Sequence, residues 1–127
     1  DQLKDMGPTG GILSAFKKDS ASAWTVMGCD LPLVDQNAIE KLYAGRNAQR
    51  YATCFKSNSD DMPEPLFAIY EPKAQNRFYQ FLATNRLCPR KVLLNSSIEL
   101  LEQGEYNYLD NANTPEDAQR IREELNK

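Results

Sequence analysis

The sequence contains no histidine, and its three cysteines, Cys29, Cys54 and Cys88, are widely spaced with no Cys-x-x-Cys among them. Zinc sites draw on closely spaced cysteine and histidine ligands, so that chemistry is argued against; an odd, scattered set of thiols does not make a disulfide framework. A reducing, cytoplasmic compartment is the expectation. Long apolar runs are missing as well. None approaches the ~20 residues needed to cross a bilayer, so no membrane association is expected. Nor is there an excess of positive charge: 15 Lys and Arg stand against 18 Asp and Glu, a net charge of −3, and the only adjacent basic pairs are Lys17-Lys18 and Arg90-Lys91. Binding to a phosphate backbone calls for clustered cations, so nucleic acid is not an expected partner. The opening DQLKDMGPTGG lacks the basic and then apolar pattern of a secretory signal.

What is present is the make-up of a globular α/β chain, with 41% apolar and 26% charged residues. A length of 127 residues suits one domain, and residues 1–127 are read as a single α/β domain. Short apolar runs alternate with helical patterns. Ile12, Leu13, Ala15 and Phe16 have helical spacing within 9–18, and 23–28 reads as a buried strand. Asp35 can cap a helix carrying Ala38, Ile39, Leu42 and Tyr43 and ending near Gly45. RYATCF and PLFAIY are strand candidates separated by a polar segment. Pro72 suits the first turn of a helix bearing Ala74, Phe78, Phe81 and Leu82, and Pro89 that of a short one. SIELLE fits either strand or helix. Thr114-Pro115-Glu116-Asp117 supplies a cap, a first-turn proline and first-turn carboxylates for a last helix with Ala118, Ile121 and Leu125 on one face.

Three stretches carry candidate chemistry. In VMGCDLP, a strand ends on Asp30. Ligands of open α/β sheets bind outside the carboxyl ends of strands, so Asp30 can hold a hard cation such as Mg²⁺, or it can cap the turn. In GPTGGILSAF, glycines before a helix leave backbone N–H groups open to a phosphate or a base, or simply make a tight turn. In DNANTPED, Asn111 and Asn113 would point to one side of an extended backbone and offer amides to a ligand, although capping explains much of the same stretch. Arg90 can pair with a phosphate or stand as a solvated helix start. Glu64, between two prolines, can orient a substrate or a metal-bound water, or simply turn the chain before the strand.

Taken in order, GPTGGILSAF, VMGCDLPLVD, EPLFAIY and DNANTPEDA resemble the molybdenum cofactor guanylyltransferase family and, more broadly, the MobA-like nucleotidyltransferases. The resemblance covers essentially the whole chain. It implies a Rossmann-like three-layer fold and a Mg²⁺-dependent enzyme that transfers GMP from GTP to molybdopterin and releases pyrophosphate. Carried over by residue, Asp30 would be the catalytic metal ligand and also meet the nucleotide. Asp1, Gly7, Gly10 and Gly11 would border GTP, while Asn111, Asn113 and Arg90 would face the pterin or the metal. Other cofactor-biosynthesis proteins would be further partners.

The family opens with a strand and a loop of the form Leu-x-Gly-Gly-x-Ser-x-Arg-Met-Gly followed by a lysine, and this chain has no such stretch. The expectation is therefore the carboxyl-terminal two-thirds of a longer enzyme, with little or no transferase activity alone. A nucleotidyltransferase using CTP or a sugar phosphate is the nearest alternative, and a non-catalytic interaction module derived from the fold is another. A glycosyltransferase would call for Asp-x-Asp where Asp30-Leu31-Pro32 stands.

Overall fold

The computed structural model describes residues 7–28, 31, 34–58, 60–104 and 109. Its elements run α1 (Pro8–Lys18), β1 (Trp24–Met27), α2 (Gln36–Ala44), β2 (Ala52–Lys56), β3 (Pro63–Tyr70), α3 (Ala74–Ala83), α4 (Pro89–Leu94) and β4 (Ile98–Leu101). The last helix read from sequence, 114–125, lies outside the described residues.

The strands form one sheet in the order β1-β3-β2-β4. β1 and β2 each run antiparallel to β3, and β4 runs parallel to β2, so β1, β2 and β4 point the same way. Side chains alternate across the sheet. Ala52, Cys54, Ala68 and Tyr70 meet Ile12, Leu13 and Phe16 of α1, Phe78 and Phe81 of α3, and Val92 and Leu93 of α4. On the other face, Phe55, Phe67 and Ile69 meet Ala38 and Leu42 of α2, together with Leu31 and Leu109. Helices on both faces make three layers, and they explain why β2 and β3 read as nearly continuous apolar runs.

Local chemistry sets several boundaries. The Asp35 carboxylate accepts from Ala38 N at 3.0 Å and starts α2, which ends at Gly45. Pro89 opens α4. α3 begins at Ala74 with Lys73 as its cap, so Pro72 lies in the turn before the helix, not in its first turn. β1 is less buried than a central strand: Met27 is 50% exposed because, among the described residues, β1 sits at the sheet edge and pairs only with β3.

β3 is irregular at its start. Its register with β2 advances from Cys54↔Ala68 to Lys56↔Pro63, two steps on one strand against five on the other. The extra residues form a bulge. The buried Tyr70 hydroxyl donates to Pro65 O at 2.7 Å, pinning the bulge, while its ring meets Phe78 edge-on. Tyr70→Phe would leave that carbonyl without its donor, and a loss of about 1–2 kcal/mol in denaturant unfolding is expected.

Burial pushes the Cys54 thiol up to about 12 from an ordinary 9.0. Folding is thus favoured fully below pH 9, where both states keep the proton, and this contribution is lost as pH rises towards 12, because the unfolded thiol ionises first. Stability is expected to fall by up to ~1.4 kcal/mol per pH unit from this group in that window. A slope unchanged in Cys54→Ala would contradict the assignment. Under native conditions iodoacetamide should modify exposed Cys88 and spare Cys54.

Candidate functional site

The parallel strands β1, β2 and β4 end on one side of the sheet, and β3 starts there. α1 packs on β1 and joins it through a short turn, so the start of α1 lies at the end where β1 finishes. The Thr9 hydroxyl donates to Leu87 O, tying the first turn of α1 to the α3–α4 loop. This carboxyl edge therefore gathers Gly7, the exit of β1 at Gly28, the end of β2 at Lys56, the β3 bulge and the start of α4. In α/β sheets it is the side where ligands bind.

Gly7 has φ +60, a conformation open to glycine and strained for other residues, and it caps α1 without a side-chain bond. Pro8 follows as the first helical residue. Gly10 and Gly11 are inside the first turns of α1 rather than in a loop before it: Gly10 is buried and Gly11 exposed. The glycine lead-in is thus Gly7 alone, because Pro8 already has the backbone geometry to start a helix. A Cβ at Gly11 would meet nothing within 4 Å.

Where β1 ends, Gly28 N donates to Leu66 O at 2.6 Å, and Leu31 is buried against the α2 side of the core. Asp30 falls between them in sequence and lies outside the described residues, as do Asp1, Asn111 and Asn113.

Arg90, the second residue of α4, is held by its neighbours. Its Nε donates to Pro63 O at 3.2 Å, and its Nη2 is 3.6 Å from Glu64 Oε2. Glu64 is largely buried, with its side chain 16% exposed, and Arg90 is 41% exposed. The sequence offered both as separate candidates; the structure brings them together. Glu64 does not turn the chain ahead of the strand, as its two flanking prolines suggest in sequence: Pro63-Glu64-Pro65 are the first three residues of β3.

Alongside, Lys56 pairs with Glu102 at 2.7 Å, and this hydrogen bond holds the Lys56 ammonium above its ordinary range. The buried Gln103 amide donates to Lys56 O at 3.0 Å. Among the described residues its oxygen meets no donor, the situation an internal water commonly resolves. No three Asp, Glu or Cys side chains converge on a metal position among the described residues. Nor, among them, is any helix long and apolar enough to cross a membrane.

The family model for the MobA-like NTP transferase domain matches residues 1–100. The chain belongs to this family. Among MobA-like relatives, a molybdenum cofactor biosynthesis bifunctional protein of Synechocystis sp. is 30% identical over 121 residues, which cover 95% of this chain and 35% of that protein. A probable molybdenum cofactor guanylyltransferase of Bacillus subtilis is 33% identical over 87 residues, 68% of this chain and 43% of the relative. The chain thus spans less than half of either. The crystal structure of molybdopterin-guanine dinucleotide biosynthesis protein A from Archaeoglobus fulgidus superposes with a TM-score of 0.72 at 23% identity, covering 93% of this chain and 62% of that one. Its likeness establishes the MobA-like nucleotidyltransferase fold.

Proposed function

We propose that the full-length protein is a molybdenum cofactor guanylyltransferase, which joins GMP from GTP to the phosphate of molybdopterin. The observation that carries this reading is the gathering of the α1 start, the exit of β1 and Arg90 at one carboxyl edge, in a member of the MobA-like family whose relatives bear that name. GTP would lie between Gly7 and the turn after β1, and molybdopterin on the side of Arg90, Asn111 and Asn113. Asp1 would contact the nucleotide.

In the reaction a phosphate oxygen of molybdopterin attacks the α-phosphorus of GTP. The new P–O bond forms as the bond to the β-phosphate oxygen breaks, and pyrophosphate leaves with that electron pair. The attacking phosphate is already ionised at neutral pH, so the absence of histidine leaves no missing base. Catalysis is then mainly placement and charge stabilisation. At this edge Glu64 and Glu102 are each paired with a cation, and Asp61 lies 4.0 Å from Lys56. A hard cation with few protein ligands would be held by Asp30, as the family resemblance implies. When bound, Mg²⁺ would neutralise charge on the phosphate oxygens. Arg90 would orient the acceptor phosphate, and Gly7 would let the nucleotide approach the backbone.

GTP binding to the full-length protein should require Mg²⁺ and resist competition by CTP in equilibrium dialysis. Displacement of GTP by equimolar CTP would favour a different nucleotidyltransferase and contradict the guanylyl reading.

A further inference from the structure

The geometry points to Glu64 as a positioning residue for the acceptor: it fixes the Arg90 guanidinium so that a free edge is presented to the phosphate of the pterin substrate. This rests on the guanylyl-transfer reading and deepens it by giving Arg90 a largely buried partner with a defined task.

Arg90 is anchored twice from one side, with Nε on Pro63 O at 3.2 Å and Nη2 against Glu64 Oε2 at 3.6 Å. A guanidinium carries more donors than these contacts use, in a planar fork that matches phosphate oxygens. Nη1 has no polar partner among the described residues, and Arg90 keeps 41% of its side chain exposed. The carboxylate is the fixed member of the pair. Its side chain is 16% exposed, and its Oε2 also accepts from Leu66 N at 3.4 Å.

That backbone is itself constrained. Leu66 O accepts from Gly28 N at the exit of β1, and Pro65 O accepts from the buried Tyr70 hydroxyl. Glu64 therefore couples Arg90, through the bulge, to the end of the strand that precedes Asp30. A long arginine side chain loses conformational freedom when it binds. Here two anchors impose much of that order before the ligand arrives.

A bland structural ion pair would have a different signature. It would affect folding, or both substrates alike, whereas a positioning role acts on the acceptor alone. The test uses initial rates of GMP transfer by the full-length protein with GTP and molybdopterin varied in turn. In Glu64→Gln, which keeps size and hydrogen bonding but removes the charge, the KM for molybdopterin should rise about tenfold, with the KM for GTP and the thermal midpoint unchanged. Glu64→Asp should recover part of the loss. Combining Glu64→Gln with Arg90→Ala should be no worse than Arg90→Ala alone, since residues acting as one unit are not additive.

An unchanged or lowered KM for molybdopterin, or an equal rise for GTP, would overturn the inference while leaving the guanylyl reading intact. If the wild-type protein transfers no GMP, that reading fails by itself. Equilibrium binding of molybdopterin then decides about Glu64: affinity weakened about tenfold in Glu64→Gln supports the positioning role, and equal affinity overturns it.

Discussion

Asp30→Ala in the full-length protein is expected to lower GMP transfer by about a thousandfold or more, with the unfolding midpoint close to that of the parent. The magnitude follows from what a cation on phosphate oxygens contributes. Such stabilisation is worth several kcal/mol, and each ~1.4 kcal/mol is tenfold in rate. Asp30→Asn should be nearly as impaired, because an amide retains the shape and an oxygen donor but not the charge that favours a hard cation. The discriminating feature is Mg²⁺ dependence: GTP affinity should depend steeply on Mg²⁺ in the parent and lose that dependence in Asp30→Ala. If binding and turnover are unaffected, Asp30 only caps the turn after β1, the alternative that Gly28-Cys29-Asp30-Leu31-Pro32 allows on sequence alone.

The second large effect is on folding and arises at the opposite end of the sheet. The Glu71 carboxylate, its side chain only 2% exposed, is clasped by Arg46 through Nε and Nη2, each at 2.8 Å. The same residue donates its backbone N–H to Tyr51 O and accepts from Ala74 N, so it joins the end of β3 to the approach to β2 and to the start of α3. Arg46→Ala would leave a buried charge without its partner. Breaking a buried pair costs about 3–5 kcal/mol, but Arg46 is 42% exposed and water reaches the pair from its side, so about 2 kcal/mol is the expected loss. A urea titration reads it as a lower midpoint at constant m-value. Replacing both partners by apolar residues, Arg46→Met with Glu71→Leu, should recover most of the loss, since no charge is then stranded. Equal destabilisation by the single and double variants would contradict this view of the pair.

Much of the fold was legible because its boundaries are set by local chemistry. Asp35 caps α2 with its own side chain, Gly45 ends that helix, and Pro89 starts α4 through its fixed φ. The strands β2 and β3 were legible because both faces of the sheet are covered. SIELLE was ambiguous for a physical reason: a short apolar run has no period of its own, and Ile98–Leu101 became a strand by pairing with β2. Strand order, the antiparallel direction of β3 and the exposure of β1 are tertiary facts that no local pattern encodes. The clasp of Arg46 on Glu71 spans 25 residues and left no mark in either neighbourhood.

The site was legible to a different degree. Gly7 was recognisable from its setting before Pro8, and its positive φ gives the reason. Gly10 and Gly11 share that glycine-rich setting in sequence, but the proline-initiated helix α1 absorbs them. Arg90 and Glu64 were each visible as charged residues beside prolines. Their pairing needed the β3 bulge, which brings residues 26 apart in sequence to 3.6 Å. A bulge is a register event between two strands, and one strand's sequence does not reveal it.

The decisive measurement is product analysis after incubating the full-length protein with GTP, Mg²⁺ and molybdopterin. The guanylyl reading predicts molybdopterin guanine dinucleotide and pyrophosphate in equal amounts, with no product when CTP replaces GTP. Pyrophosphate release without a dinucleotide, or a dinucleotide formed equally well from CTP, would contradict it.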